Sequence, residues 1–275
     1  MLKSLFTKGN RSKAEDKLSV ALNLQDKNFF WNPKDKIPNI GDYLAFETVN
    51  YLLNLKDKHP IEIRDGKILS IGSVLHFAKD NDVVWGTGRN GKISEDKHKF
   101  SKLDVRAVRG PNTKKYLEEK GISVPDIFGD PGILASLIYP KQILEQVFDC
   151  PKSDFVIVPQ LNDNIEKYKG YEEHLVSPRQ LPAHFISKII NANLVVASSL
   201  HGLILAESYG IPAVFFNSGS GETMFKYEDY YYGTGRESFI VEEELASCLH
   251  KSTPPIPNIS RRQKVLVKNF PFDRY

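Results

Sequence analysis

The sequence predicts an α/β fold in which parallel strands alternate with helices. Short apolar runs rich in Val and Ile recur along the chain, and segments with helical spacing lie between them. Several of these runs show little polar alternation, which is typical of strands covered on both faces in a parallel sheet. Ligands in such folds bind beyond the carboxyl ends of the strands, so we expect functional residues in the turns that follow the strands.

Each predicted strand is a short and mostly apolar run. The predicted strands are Val20–Leu24, Ile68–Ile71, Val83–Trp85, Asp104–Val108, Phe155–Val158, Leu194–Ala197 and Ala213–Phe216. The predicted helices are Tyr43–Leu53, Thr113–Lys120, Ala183–Asn191 and Leu203–Tyr209. Gly121 and Gly210 directly follow two of these helices and suit the C-terminal cap, because glycine readily adopts the left-handed conformation found there.

Length and composition indicate an ordinary globular protein with two cores. The chain has 275 residues, of which 41% are hydrophobic and 26% are charged. These values argue against disorder and suit two domains of roughly 120–150 residues. The formal net charge of +3 is small, which argues against a dedicated nucleic-acid-binding protein. The two cysteines, Cys150 and Cys248, have neither zinc-site nor disulfide-framework spacing, so we expect a reducing compartment and no metal site.

Breaks in the strand–helix pattern predict the domain boundaries. Prolines and charges interrupt the pattern within Tyr139–Lys152, so we place an N-terminal domain at 1–145 and a C-terminal domain at 146–255. A proline-rich connector, Thr253–Pro257, leads into a tail, 256–275, that we expect to return to the first domain. Met1 to Lys17 lack the apolar run of a signal peptide. We therefore expect a cytoplasmic protein, with peripheral contact at the inner membrane face as an option for its basic tail.

The most informative segment begins at Ser198 and reads Ser-Ser-Leu-His-Gly, after a predicted strand and before a predicted helix. Unpaired N–H groups at a helix start, together with the helix dipole, favour a bound phosphate or carboxylate. The candidate anion-binding residues are Ser198, Ser199, Leu200 and Gly202. His201 is placed to reach such a ligand, and a histidine pKa of about 6.5 allows proton delivery near neutral pH. The alternatives are a histidine bonded to a backbone carbonyl and serines that act only as N-caps.

A second polar turn, Asn39-Ile-Gly-Asp, directly precedes the first predicted helix. Asn39 and Gly41 suit a turn, and Asp42 suits the beginning of the helix. As functional residues they would close on a substrate from the first domain, with Asp42 orienting or deprotonating an acceptor hydroxyl. Spacing alone favours a capping role for Asp42.

Three other strand ends carry residues that suit an anion or a close backbone approach. Arg109 follows the predicted strand Asp104–Val108, and an arginine in that position binds phosphate or carboxylate bidentately. A lone surface arginine is the alternative. Glycine-rich turns at Gly86-Thr-Gly88 and Gly129-Asp130 match neither a Walker loop nor a dinucleotide-binding motif. They indicate that the backbone approaches another group closely.

The segment Gly221–Arg236 combines aromatic and charged residues. Aromatic faces beside polar groups are what sugar rings bind, so Glu222, Lys226 and Arg236 are candidate cleft residues. Packing of the tyrosines in a core is the more common role of such a stretch, and it stays an alternative here.

A set of short motifs resembles the polysaccharide pyruvyltransferase family. They are Asn39-Ile-Gly-Asp, Val84-Trp-Gly-Thr-Gly, Val108-Arg-Gly-Pro, Phe128-Gly-Asp-Pro, and Ser199-Leu-His-Gly followed by Tyr209-Gly-Ile-Pro. Each motif alone is weak, but together and in this order they form a specific pattern from about Asn39 to Arg236. The resemblance implies two Rossmann-like lobes that face a cleft, as in B-type glycosyltransferases, with phosphoenolpyruvate as the donor.

The resemblance also implies residue roles. His201, in the Leu-His-Gly segment, is expected to be the general acid, and Arg109 is expected to hold the anionic groups of the donor. Many relatives carry an arginine at the position of Ser199, where it is a further anion ligand. The donor here would lose that positive charge or receive it from another basic residue, for which the candidates are Arg236, Lys226 and Arg89.

The implied reaction transfers pyruvate from phosphoenolpyruvate to two hydroxyls of a sugar, which forms a ketal in a bacterial surface polysaccharide. The expected partners are the donor and a sugar acceptor, often lipid-linked, with no cofactor and no metal. The expected acceptor or cleft residues are Asn39, Gly41, Gly86, Gly88, Asp130, Glu222, Lys226 and Arg236. Two alternatives stay open: a B-type glycosyltransferase that uses a nucleotide sugar, and a non-catalytic carbohydrate-binding protein.

Overall fold

The computed structural model describes residues 39–58, 66–253 and 255–275. Within these ranges the chain forms two parallel sheets with helices between their strands, which confirms the predicted α/β class. The predicted strand Val20–Leu24 lies outside the described residues. None of the helices in these ranges is long and apolar enough to cross a bilayer.

A three-stranded parallel sheet occupies the first half of the described chain. The elements of this half are α1 (Ile40–Asn54), β1 (Ile68–Leu69), β2 (Val83–Trp85), β3 (Asp104–Ala107), α2 (Pro111–Glu119), α3 (Ala135–Ile138) and α4 (Lys141–Val147). The strands lie side by side in chain order, with Ile68 opposite Val83 and Val83 opposite Asp104. Every residue of β1 and β2 is buried, as expected for strands covered on both faces.

A four-stranded parallel sheet follows in the second half. Its elements are β4 (Val156–Val158), α5 (Pro182–Ile190), β5 (Val195–Ala197), α6 (Leu200–Ser208), β6 (Ala213–Phe216), α7 (Phe225–Gly233), β7 (Val241–Glu242), α8 (Leu245–Cys248) and α9 (Ile259–Lys268). The strand order is again sequential, from β4 to β7. The sequence pattern did not predict β7, because this strand is two residues long and Val241 is exposed.

A hydrophobic core connects the two sheets. Trp85 of β2 belongs to the same buried cluster as Val195 of β5 and Leu203 of α6. Helix α1 adds Leu44 to this cluster and packs against the turn Pro131–Leu134, α3 and α5. Full burial of a leucine side chain contributes about 1.5–3 kcal/mol. The start of α1 is therefore held firmly beside the second sheet.

Two helices begin three residues earlier than the sequence pattern predicts. Helix α1 begins at Ile40, so Asn39 is the N-cap and Asp42 lies within the first turn. The expectation that Asp42 begins this helix is wrong. Helix α6 begins at Leu200, and Ser199 is its N-cap. Gly41 and Gly202 lie in these two first turns. At both positions neighbouring groups leave no room for a side chain.

The C-terminal tail lies against the first sheet. The indole Nε1 of Trp85 donates a hydrogen bond to the carbonyl oxygen of Leu266 in α9 at 3.0 Å. Arg106 of β3 pairs with Asp273 at 2.7 Å. These contacts hold residues beyond the proline-rich connector beside β2 and β3.

Candidate functional site

A cavity of about 230 Å³ lies where the turns after several strands meet. Its polar lining comes from turns of both sheets and from the start of α1, and it consists of Asn39, Ser73, Asn90, Gln160, Asn162, Ser199, His201, Glu222 and Lys226. The cavity thus occupies the position in which parallel α/β folds bind ligands.

The His201 ring lies against the backbone of Gly41 in α1. A Cβ at Gly41 would stand 2.3 Å from His201 Cε1 and 2.5 Å from Nδ1, so this position admits no side chain. The Nε2 atom of His201 is buried, and no residue in the described part of the chain hydrogen-bonds to it. Burial, followed by the charges of Lys226 and Arg109, lowers the pKa of His201 to about 4. The ring is therefore neutral near pH 7.

The start of α6 presents backbone donors to the cavity. Ser199 caps the helix, since its Oγ accepts a hydrogen bond from the Gly202 N–H at 3.4 Å. The N–H groups of Leu200 and His201 lie in the first turn, where no carbonyl of the helix can accept them. Gly202 permits the close approach of α6 to β4, because a Cβ there would stand 2.9 Å from Val158 Cβ.

Ser198 lies in a different environment from Ser199. Its hydroxyl hydrogen-bonds to Asp163 and to Tyr168 at 2.9 Å, and it accepts a bond from the Gln160 N–H at 2.9 Å. These bonds hold the loop after β4. Ser198 is buried and lies outside the cavity lining.

Asp42 is next to Gly41 in the first turn of α1. Its Oδ2 atom is buried and has no hydrogen-bond partner among the described residues. Burial raises the pKa of Asp42 to about 7, against the opposing effect of a hydrogen bond with the Asn39 side chain. The carboxyl group therefore titrates near neutral pH, where it can accept or donate a proton.

Arg109 is completely buried behind the cavity. Its Nε donates to Asp229 Oδ2 at 3.0 Å, Nη1 donates to Ser73 Oγ at 2.6 Å, and Nη2 donates to the carbonyl oxygen of Arg89 at 2.8 Å. Gly88 makes room for the guanidinium, since a Cβ there would stand 2.3 Å from Arg109 Cζ. Arg109 meets the cavity through Ser73, not through its own surface.

The two glycine-rich turns pack against each other. Gly86 has a φ of +91°, and a Cβ there would stand 2.3 Å from Pro131 Cδ. Asp130 is fully buried and accepts a hydrogen bond from the Gly72 N–H at 3.4 Å, and burial raises its pKa to about 6. These residues, with Gly88, shape the loops behind the cavity and do not line it.

Lys226 of α7 and Glu222 form an ion pair at the cavity, with Nζ and Oε2 2.6 Å apart. Glu222 also pairs with Lys92 and accepts a hydrogen bond from Gln160 Nε2 at 3.2 Å. Burial lowers the pKa of Lys226, and the charge of Glu222 opposes that shift. Burial alone would raise the pKa of Glu222, but Lys226 and then Lys92 bring it below its ordinary value.

The other two basic candidates have partners elsewhere. Arg236 bonds to Glu207 at 2.6 Å and lines a separate pocket beside the tail. Arg89 lies over the ring of Tyr116 at 4.2 Å and pairs with Glu95 at 3.3 Å. Of the three basic residues considered from the sequence, Lys226 is the one that lines the cavity.

Three of the four tyrosines of α7 belong to the core. Tyr227, Tyr230 and Tyr231 are each buried, and the Tyr227 hydroxyl donates to the carbonyl oxygen of Ser198 at 2.6 Å. The packing interpretation of this stretch is therefore the one that holds. The helix contributes instead Lys226, on its cavity side.

Sequence reasoning missed four polar residues of the cavity lining and one residue behind it: Ser73, Asn90, Gln160, Asn162 and Asp229. Ser73 and Gln160 follow the ends of β1 and β4, so the rule that singled out the other strand ends would have found them. Asp229, the partner of Arg109, lies 120 positions further along the chain, and no local pattern marks it.

The fold and the cavity define an α/β protein with a small polar site built around a helix start, an imidazole and a nearly buried lysine. The sequence profile of the polysaccharide pyruvyl transferase family matches residues 39–220. The chain belongs to this family.

Individual relatives are distant. The chain is 24% identical over 218 residues to the succinoglycan biosynthesis protein ExoV of Rhizobium meliloti, which covers 74% of this chain and 63% of that protein. It is 26% identical over 156 residues to the uncharacterized protein L143 of Acanthamoeba polyphaga mimivirus, covering 53% of this chain and 51% of that one. A solved structure of an uncharacterized Klebsiella pneumoniae protein aligns with a TM-score of 0.37 and 14% identity over 82% of this chain and 94% of that one. The chain thus spans less than two thirds of these two curated relatives.

Proposed function

We propose that this protein transfers pyruvate from phosphoenolpyruvate to two hydroxyls of a sugar, forming a ketal during synthesis of a bacterial surface polysaccharide. The observation that carries the proposal is the convergence of the α6 start, His201 and Lys226 on one cavity. Family membership supports the pyruvyl group as the unit transferred, and the name of ExoV supports a role in polysaccharide synthesis.

The cavity suits a small and highly charged donor. Its volume of about 230 Å³ is below the roughly 300–1,000 Å³ typical of sites for drug-sized ligands. The N–H groups of Leu200 and His201, with the positive end of the α6 dipole, favour phosphate or carboxylate oxygens. Lys226 then supplies the positive charge that Ser199 lacks. Its ammonium has three N–H groups, so it can hydrogen-bond to Glu222 and to an oxygen of phosphoenolpyruvate at the same time.

His201 is the proposed general acid. A ring N–H proton of its imidazolium goes to the methylene carbon of phosphoenolpyruvate, and the π electron pair forms the new C–H bond. The adjacent carbon becomes cationic, and a sugar hydroxyl attacks it while a base takes the hydroxyl proton. The C–O bond to phosphate then breaks with its electron pair on the phosphate oxygen, which takes the proton held by the base, so that hydrogen phosphate leaves. A second hydroxyl of the sugar closes the ketal, and its proton returns to His201.

The low pKa of His201 is compatible with this role once the donor is bound. A histidine with a pKa of about 4 is almost entirely neutral at pH 7. Bound phosphoenolpyruvate would place negative charge beside the ring, and a nearby opposite charge raises the pKa of a base. Binding of phosphoenolpyruvate would therefore favour the protonated form of His201 that the reaction requires.

Asp42 is the proposed base for the first hydroxyl, but it does not line the cavity itself, so a bridging water would carry the proton to it. Because its pKa is about 7, it can accept a proton at neutral pH, as a general base should. Asn39 lines the cavity one turn earlier, where it suits a hydrogen bond to an acceptor hydroxyl.

The wider setting is part of the same proposal. The two sheets would be the cores of two lobes like those of B-type glycosyltransferases, and the acceptor would be a lipid-linked sugar reached from the cytoplasmic side. Basic residues of α9 such as Arg261 and Lys264 would contribute about 1 kcal/mol each near an anionic bilayer.

Donor protection and phosphate release test the proposal. Thermal unfolding is followed with phosphoenolpyruvate and, separately, with uridine and guanosine nucleotide sugars, because a ligand stabilises the state that binds it. We expect protection by phosphoenolpyruvate, and phosphate release when a suitable lipid-linked or synthetic sugar is added. Protection by a nucleotide sugar alone would favour a glycosyltransferase, and sugar binding without phosphate release would favour a non-catalytic binding protein.

A further inference from the structure

Arg109 has the charge that a polyanionic donor needs, but it does not face the donor cavity. It is 0% exposed, and Asp229 holds its Nε at 3.0 Å. Gly88 covers the guanidinium closely, with room for no side chain. A ligand in the cavity would therefore contact the group that lies between the cavity and the Arg109 guanidinium.

That group is the hydroxyl of Ser73. Ser73 lines the cavity, and its Oγ accepts a hydrogen bond from Arg109 Nη1 at 2.6 Å. A serine hydroxyl has one proton to donate in addition to the lone pair used here. Within residues 39–58, 66–253 and 255–275, no acceptor takes that proton. The adjacent Gly72 lies beside the imidazole, since a Cβ there would stand 3.9 Å from His201 Cε1.

We infer that Ser73 is a ligand of the donor's anionic oxygen, and that Arg109 is a positioning residue that acts through it. The inference rests on the proposed function and adds a donor contact to it. The guanidinium fixes the serine rotamer and withdraws electron density from Oγ, which strengthens the hydrogen bond that the hydroxyl donates. Arg109 thus contributes to donor binding while its charge stays neutralised by Asp229.

A purely structural role predicts something else. If Ser73 only supplies an acceptor for Arg109, its removal lowers stability and leaves donor affinity unchanged. If Ser73 also contacts the donor, affinity falls even where stability is kept. Hydrogen bonds to charged groups correspond to about a tenfold to hundredfold change in affinity.

The test is titration calorimetry and steady-state kinetics on the full chain with Ser73→Ala and Ser73→Thr. The probes are phosphoenolpyruvate and inorganic phosphate. Ser101→Ala is the matched control, because that serine also bonds to a charged side chain, Asp80 at 3.1 Å, but does not line the cavity. Thermal unfolding of each variant reports any structural loss separately.

We expect Ser73→Ala to weaken phosphoenolpyruvate binding and raise KM at least about tenfold, with a smaller change in kcat. Ser73→Thr, which keeps the hydroxyl, should recover most of the affinity, and Ser101→Ala should match the wild type. Ser73→Ala that binds phosphoenolpyruvate within twofold of the wild type would overturn the inference and leave the proposed function standing. A wild type that binds neither anion would overturn both.

Discussion

The His201 ring fills the space that a side chain at Gly41 would need, so α1 and α6 begin on either side of one imidazole. The ideal Cβ position of Gly41 is 2.3 Å from Cε1 and 2.9 Å from Nε2 of that ring. Glycine at the first turn of α1 is thus explained by the His201 ring of α6. The contact fixes where the imidazole can point.

Gly41→Ala should displace the ring and destabilise the protein. A forced contact of this kind costs typically 1–3 kcal/mol, and turnover should fall because His201, the proposed general acid, is displaced. In a His201→Ala background the same change should instead be neutral or stabilising by about 0.5–1 kcal/mol, because alanine favours helix over glycine. Urea unfolding of the four proteins measures this cycle. Equal costs in both backgrounds would mean that the ring is not what excludes the side chain.

Asp42→Asn should make the protein more stable than the wild type at pH 8 but not at pH 4. Asp42 has a folded pKa of about 7 against an ordinary value of 3.8, so the unfolded state loses its proton first. Its contribution therefore becomes unfavourable as the pH rises from about 4 to 7, by at most about 4 kcal/mol. Urea unfolding at a series of pH values measures the difference between variant and wild type, with Asp154→Asn at an exposed position as the control. A difference that stays constant with pH would contradict the assigned burial of Asp42.

Lys226→Ala should raise KM for phosphoenolpyruvate about tenfold or more, because the proposed charge-assisted contact to the donor would be lost and Glu222 would face it. Lys226→Arg should retain most of the affinity. Lys92→Ala is the control, since Lys92 also pairs with Glu222 but does not line the cavity. Initial rates of phosphate release at a series of phosphoenolpyruvate concentrations give KM and kcat for each variant. If Lys92→Ala and Lys226→Ala have equal effects, the lysine acts only by holding Glu222.

Asp229→Ala should destabilise the protein by about 3–5 kcal/mol, because it leaves the fully buried Arg109 unpaired. Glu119→Ala is the comparison, since it breaks the exposed pair between Lys115 and Glu119 and should cost under about 1 kcal/mol. Chemical denaturation measures both. A loss at Asp229 as small as that at Glu119 would show that the buried pair is not needed to hold the site.

The strands were predictable because burial on both faces leaves a local mark. Val83–Trp85 and Val195–Ala197 read as continuous apolar runs, and each residue in them is buried. The helix starts were not predictable, because Gly41 and Gly202 look like turn residues. In the structure both are helical. A side chain at Gly41 would collide with the His201 ring, and a side chain at Gly202 would collide with Val158.

The candidate site was predictable at its centre and not at its edges. His201 and Lys226 were named from the sequence and line one cavity. The burial of Arg109 could not be foreseen, because Asp229 and Ser73 meet it only through the fold. The end of a strand predicts the position of a residue's backbone, but its side-chain contacts depend on residues that are distant in the sequence.

Phosphate release from phosphoenolpyruvate by wild type and His201→Ala, in the presence of a sugar acceptor, tests whether His201 is the general acid. We expect a loss of at least about a hundredfold in the variant, with phosphoenolpyruvate binding and the unfolding temperature close to wild type. Phosphate release at near wild-type rate by a folded His201→Ala protein would contradict it.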